Sequence, residues 1–379
     1  MTWQQVSAWR MGQQGLETPW AAGDLVEAVR RMGGAHAQVM SAAEWSLGVR
    51  MTGLRQGQVA AALWEGRTLV KTWAMRATLY LLPAEDLGLM AAARSLTPTR
   101  NGDGWFKRYM AAHGLPEERD QQVLDAAAEA LSEGPLTREE LGCAVAERTG
   151  LPAVRDLFGR NGWGTPLKPL AWRGDLCFGP SRGRNVTFVS PQAWLGSLRR
   201  WDPADALREV VRRYLRYHGP ATVAHFARWW ECYRRTAQSV FDELREELVP
   251  VEVQGQRLWA LASLAEEMTA CAPGATVRLL PLFDAFVTGS SLGDASPLVD
   301  ERRRGRVFRQ AGWVSAVVLR GGRVLGTWGV SGREPLQLAV RLWEPPDAAL
   351  EAGLAQEAAR YGAFRGAPAE LRVEVCDEN

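Results

Sequence analysis

Apolar residues recur at helical spacing in the segment Gln121–Gly150, where Val123, Leu124, Ala127 and Leu131 line one face. A turn through "EGPLT" follows, and then a second helical run. The segment Ala206–Leu261 repeats this layout around "HGPAT", and the two Gly-Pro turns lie 220 − 135 = 85 residues apart. Thr137 and Thr222 follow these turns and are suited to cap the next helix, because a threonine hydroxyl can accept from an orphan amide of the first turn. The second segment continues into a helix near Thr236–Glu247 and then "LVPVEVQGQRLWAL", two β-rich runs about Gly255 that predict a hairpin. Helix, turn, helix, helix and hairpin is the order of a winged helix. The first segment can close the same way, with "CFGPSRGRNVTFV" as its wing. The N-terminal region fits as well: helices over Asp24–Met32, Ser41–Arg50 and Leu54–Glu65, then strands in "RTLVKTWAMRATLYLLP". After Leu261 the pattern becomes β-rich, with one helical run at Ala348–Tyr361. The expectation is an α+β chain: three tandem winged-helix motifs in segments 1–120, 121–200 and 201–262, then a separate C-terminal β-barrel-like module in 263–379.

Composition narrows the function classes. The chain has 379 residues, 46% hydrophobic and 23% charged, which is ordinary for a globular protein of several modules. No apolar run approaches the length of a membrane span, and the N-terminus lacks a signal-peptide layout, so a cytoplasmic protein is expected. Five scattered cysteines without a C-x-x-C pair, and four histidines without metal spacing, predict neither disulfides nor a metal site. Glycine-rich nucleotide motifs are missing too, so no cofactor is expected. Monomer is the default.

Charge is uneven. Residues 151–235 carry 15 Lys/Arg against 6 Asp/Glu, a balance of 15 − 6 = +9, whereas residues 236–272 carry 2 − 7 = −5. A basic block suits a phosphate-contacting surface, and equally a solvated face. The run "ERRRGRVFR" at 301–309 has the same two readings.

The candidate chemistry lies in "GGAHAQVMSAAEW", where His36 and Gln38 stand two residues apart after a glycine pair. Taken alone, the pair reads as helix caps or as partners for buried backbone groups. The longer stretches "GGAHAQVMSAAEWSLGVR", "ALWEGRTLVKTWAMRATLYLLP", "GPATVAHFARWW", "LLPLFDAFVTGS" and "GWVSAVVLRGGRVLGTW" change that reading. Together, and in this order, they resemble the AlkZ/YcaQ-type winged-helix DNA glycosylases. The resemblance implies three winged helices and a C-terminal β-barrel. It also implies a catalytic pair, commonly Gln-x-Gln or Gln-x-Asp, that falls here on His36 and Gln38. Its partner would be double-stranded DNA carrying alkylated purines. The chain departs from the family pattern at His36, at Ala77 and Tyr80 (glycine and histidine in the family), and at "SSLGD" after the "FDAFVTG" run.

On this reading Gln38 and neutral His36 hold a water for attack on the sugar, since imidazole and amide both donate and accept. Residues two apart in extended backbone face the same side. Neither is an amine nucleophile, and Lys71 is the nearest lysine, so a monofunctional glycosylase is expected. Trp73 and Arg76 are expected to contact DNA near the lesion, against a reading as core and surface charge; Arg182 and Arg184 are expected on the second wing. Trp229, Trp230, His218 and His225 read as structural; Asp284 could orient a partner or bind an arginine, with a plain structural role preferred. The rival class is a non-enzymatic winged-helix DNA-binding protein, a transcriptional regulator or lesion binder. It needs a recognition helix rich in base-reading side chains, and "LRQGQVAAALWEG" and "TAQSVFDELREELV" are apolar or acidic.

Overall fold

The computed structural model describes residues 1–21, 23, 25–97, 104–159, 164–290 and 298–376. It is a mixed α/β protein of two compact units. The first comprises Met1–Ala61, Arg212–Trp229 and Phe241–Asn379, the second Ala62–Val211 and Trp230–Val240.

The repeat seen in the sequence has a structural counterpart. Thr137 caps the helix Arg138–Thr149 in a reciprocal capping box with Glu140. Thr222 accepts from the His225 amide at 3.1 Å at the start of the helix Val223–Trp230. In each case the residue after the Gly-Pro turn bridges to the hairpin that follows: Leu136 pairs with Phe188, and Ala221 with Trp259. Leu136 and Ala221 are again 221 − 136 = 85 residues apart, so the same turn-to-hairpin bridge is built twice. The hairpins are Cys177–Arg182 with Asn185–Val189, and Leu248–Val253 with Gln256–Leu261. The second turns at Gln254 and Gly255, both with positive φ, which matches the strand twist. A third hairpin pairs Leu69–Trp73 with Leu79–Pro83. Its tip holds Arg76 and Ala77 at φ 53°, so alanine takes the left-handed conformation that glycine adopts more cheaply.

In the second unit a core of Leu, Val and Ala side chains from the helix Asp120–Ser132 and its neighbours closes around Phe106, Phe158 and Phe188.

The C-terminal part of the chain corrects an expectation. Its five strands are Val277–Leu280, Val317–Arg320, Arg323–Ser331, Leu336–Leu342 and Ala369–Val375, paired in that order. The first and last do not pair with each other, so the sheet is open and no barrel closes among the described residues. The last two strands run parallel, joined by the helix Ala348–Arg365, and a parallel pair needs such a crossover. Nor is this region separate. The Trp45 indole of the helix Met40–Gly48 donates to the Leu279 carbonyl at 2.7 Å, and its ring packs edge-on against Tyr361 at 4.8 Å. Arg360 donates to the Val49 carbonyl at 3.0 Å and pairs with buried Glu357. The open sheet is thus the platform on which the helix after His36-Ala37-Gln38 is mounted.

Candidate active site

The segment that carries His36 and Gln38 begins at a helix end. After Leu25–Arg31 the Gly34 amide bonds the Val29 carbonyl and the Gly33 amide bonds the Arg30 carbonyl, both at 2.9 Å, with Gly33 at φ 68°. That is a Schellman cap, which requires the left-handed conformation at its first residue outside the helix. A Cβ on Gly33 would also lie 3.1 Å from the Trp229 ring and 3.3 Å from His218 Nε2. The glycine pair therefore turns the chain sharply against a packed wall and delivers Ala35–His36 as a two-residue strand.

The paired strand stops at His36, and Gln38 sits in a bend. The same-side argument from strand periodicity thus reaches only the first of the two residues. They differ in burial: His36 is 6% exposed, while Gln38 is exposed and has no hydrogen-bond partner among the described residues. The helix Met40–Gly48 is capped at Val39, with no side-chain cap bond. Gln38 is therefore not a helix cap, and its amide is open to a ligand.

The His36 ring stacks on Phe283, centroids 4.5 Å apart and planes 18° from parallel. Phe283 is held by its own backbone, which sits at φ 59°, and by the adjacent residue. Asp284 receives both terminal nitrogens of Arg50, at 2.7 and 2.8 Å, and the Ser46 hydroxyl at 2.5 Å. Arg50 and Asp284 are both fully enclosed, so the bidentate pair is desolvated. The network runs on. Arg50 donates to the Gln14 side-chain oxygen Oε1, and Gln14 Nε2 donates to the Tyr217 carbonyl at 2.9 Å and to His218 Nδ1 at 3.3 Å. His218 Nε2 donates to the Met32 carbonyl at 3.2 Å, at the residue before the glycine pair. These bonds fix one tautomer of His218, with hydrogen on Nε2 and a lone pair on Nδ1. Burial, with Arg10 adding to it, pushes the pKa of His218 down to about 3. The residues expected to be structural, His218 and Asp284, are therefore the two ends of a buried clamp behind His36.

The other expected site residues lie in the second unit. Trp73 is a correction: it is 4% exposed and packs on Phe178 and Phe188 at 5.0 and 6.1 Å, so its ring is core. Arg76 is half-buried at the hairpin tip and donates to the Tyr80 hydroxyl at 2.9 Å. Arg182 is exposed but ion-paired with Glu140, while Arg184 at the turn of the wing is exposed. Other cations of the basic block are paired likewise: Arg212 with Glu247 and Arg173 with Asp125. The +9 balance thus overstates the positive surface, because its partners lie elsewhere in the sequence. An open cavity of about 870 Å³ in this unit is lined by Trp105, Trp172, Trp201, Arg94 and Asp120. Trp229 and Trp230 are buried. The "SSLGD" run falls almost wholly outside the described residues.

Comparison with known proteins decides the family. A family model described as "DNA glycosylase AlkZ-like" matches residues 29–364. The chain belongs to the AlkZ-like DNA glycosylase family. It is 35% identical over 341 residues, 88% of this chain and 89% of the other, to the "Interstrand DNA cross-link repair glycosylase" of Streptomyces sahachiroi. Among solved structures it is similar to the DNA glycosylase AlkZ of Streptomyces sahachiroi, with a TM-score of 0.88 and 32% identity over 99% of this chain and 100% of that one. The family match opens within the helix that ends in the Schellman cap, so the His36–Gln38 segment lies inside it. Among the described residues no helix is long and apolar enough to cross a membrane. Sequence reading missed Phe283. It singled out Asp284 in "LFDAF" but had no signal to join its neighbour to a histidine 283 − 36 = 247 residues away.

Proposed function

We propose that this enzyme hydrolyses the N-glycosidic bond of N7-alkylated purines in duplex DNA, with His36 and Gln38 as catalytic residues. The observation that carries the reading is the contrast between them: a buried imidazole pinned flat on Phe283, followed two residues later by an exposed amide without a partner among the described residues. Interstrand crosslinks joined through such purines fall in the same substrate class, in line with the name of the Streptomyces relative.

Alkylation at N7 makes the purine cationic. When the C1′–N9 bond breaks, its electron pair neutralises that charge, so the base leaves without a general acid. The difficulty is the oxocarbenium-like sugar left behind and the water that must meet it. Gln38 orients the water through its amide. His36 accepts the water's proton on a ring nitrogen as oxygen bonds to C1′, and passes it to solvent. Neither group forms an imine with the sugar, so the product is an abasic site and borohydride traps no covalent complex.

DNA contacts are assigned to the exposed wing cation Arg184, to Arg182 in exchange with Glu140, and to Arg76. The three helix–hairpin repeats are read as three winged helices that carry these contacts. The test is incubation with a duplex holding one N7-methylguanine, followed by mild alkali. Strand cleavage at that position is expected, and an intact strand at enzyme excess would refute the reading.

A further inference from the structure

Among the described residues one large aromatic side chain is both exposed and in contact with the active-site ring stack. Trp313 leaves 41% of its surface exposed, yet its ring packs edge-on against Phe283 with centroids 4.8 Å apart. Phe283 in turn stacks on His36 at 4.5 Å. Trp313 therefore lies no further than 4.5 + 4.8 = 9.3 Å from His36, ring centre to ring centre. That is within three steps of a nucleotide strand that rises about 3.4 Å per residue.

The backbone holds Trp313 on a built turn. Arg309 donates to the Trp313 carbonyl at 2.8 Å, and the Trp313 amide donates to Gln310 at 3.3 Å. Phe308 bridges Val314, and Ser315 bonds the Val307 and Arg306 carbonyls at 2.9 Å each. The tip, Ala311 and Gly312, has positive φ at both residues. Val314 also accepts from the Phe283 amide at 3.3 Å, which ties the turn to the residue behind His36. The neighbouring Arg309, whose backbone pairs with Trp313, is exposed and its side chain is not ion-paired among the described residues.

We propose that Trp313 is a stacking platform for a nucleobase next to the lesion, with Arg309 beside it as a phosphate contact. An indole face offers every base the same π surface, so such a platform orders the strand without reading its sequence. An exposed indole beside an exposed arginine matches a polyanion rather than a second apolar surface. The assignment of a base, as opposed to another ligand, rests on the function proposed above.

The test uses the full chain and a duplex with a tetrahydrofuran abasic analogue, which cannot be cleaved. A 2-aminopurine is placed in turn at each of the three positions on either side. Wild-type protein should quench it at one of these positions, and Trp313→Ala should abolish that quenching and raise Kd about tenfold. Trp313→Tyr should restore both. Arg309→Gln should lower the slope of log affinity against log salt by about one. Unchanged quenching and affinity in Trp313→Ala, or a loss that tyrosine does not repair, overturns the proposal. Excision by wild type in the N7-methylguanine assay is scored separately, so failure of the platform and failure of the glycosylase reading are told apart.

Discussion

His218 makes the clamp behind the active site sensitive to acid. Its imidazole is 1% exposed, accepts from Gln14 on Nδ1 and donates to Met32 from Nε2, and its pKa is held at about 3. In the unfolded chain the same group titrates near 6.5. The unfolded state therefore binds the proton first. The stability contributed by neutral His218 is complete above about pH 6.5 and is lost as the pH falls from there toward 3. At pH 5 an unfolded histidine gains about 1.5 pH units of protonation free energy and the folded one almost none, a loss of about 2 kcal/mol. Protonation also removes the lone pair that accepts from Gln14, so the loss is coupled to the Arg50–Asp284 end of the network. The perturbation is His218→Gln, which does not titrate. Urea unfolding at pH 7.5 and pH 5.0 should show wild type losing about 2 kcal/mol more than the variant. Carboxylates common to both proteins cancel in that difference. Equal losses would refute the linkage and with it the burial of a neutral imidazole at this point.

Asp284→Asn should destabilise the protein by about 3–5 kcal/mol, because it strands the enclosed Arg50 guanidinium; the double change Arg50→Leu with Asp284→Leu should recover much of this, both read by urea unfolding. Arg184→Gln should weaken duplex binding evenly across sequences and lower the salt slope by about one, whereas Arg182→Gln should do less, because Glu140 already holds that side chain; equal effects measured by fluorescence anisotropy would contradict the ion pair.

The legible part of the fold was local. Gly-Pro turns, threonine caps and Gly255 act through bonds to near neighbours in the chain, and each reappears as the element it predicted. The open sheet was misread because β-rich runs carry no information on whether the first strand meets the last; that depends on twist and on the crossover helix Ala348–Arg365. Trp73 was misassigned for a related reason. In a hairpin one face is buried, and periodicity alone does not say which. At the site, the motif pointed to His36 and Gln38, while Phe283 and Trp313 come from segments hundreds of residues away and the Gln14–Arg50 link joins residues 36 apart on either side of the motif. Their roles arise from packing alone.

The central claim is that His36 and Gln38 act on one water, His36 through a lone pair that acid removes. Single-turnover excision of N7-methylguanine, followed from about pH 5 to 8, tests it most directly. Wild type should slow as histidine protonates on the acid side, and His36→Gln should remain active without that acidic limb. Gln38→Ala should lose base release, at about 2–4 kcal/mol of transition-state stabilisation, while still binding duplex within about tenfold of wild type. An acidic limb that persists in His36→Gln, or excision by Gln38→Ala at the wild-type rate, would contradict the account.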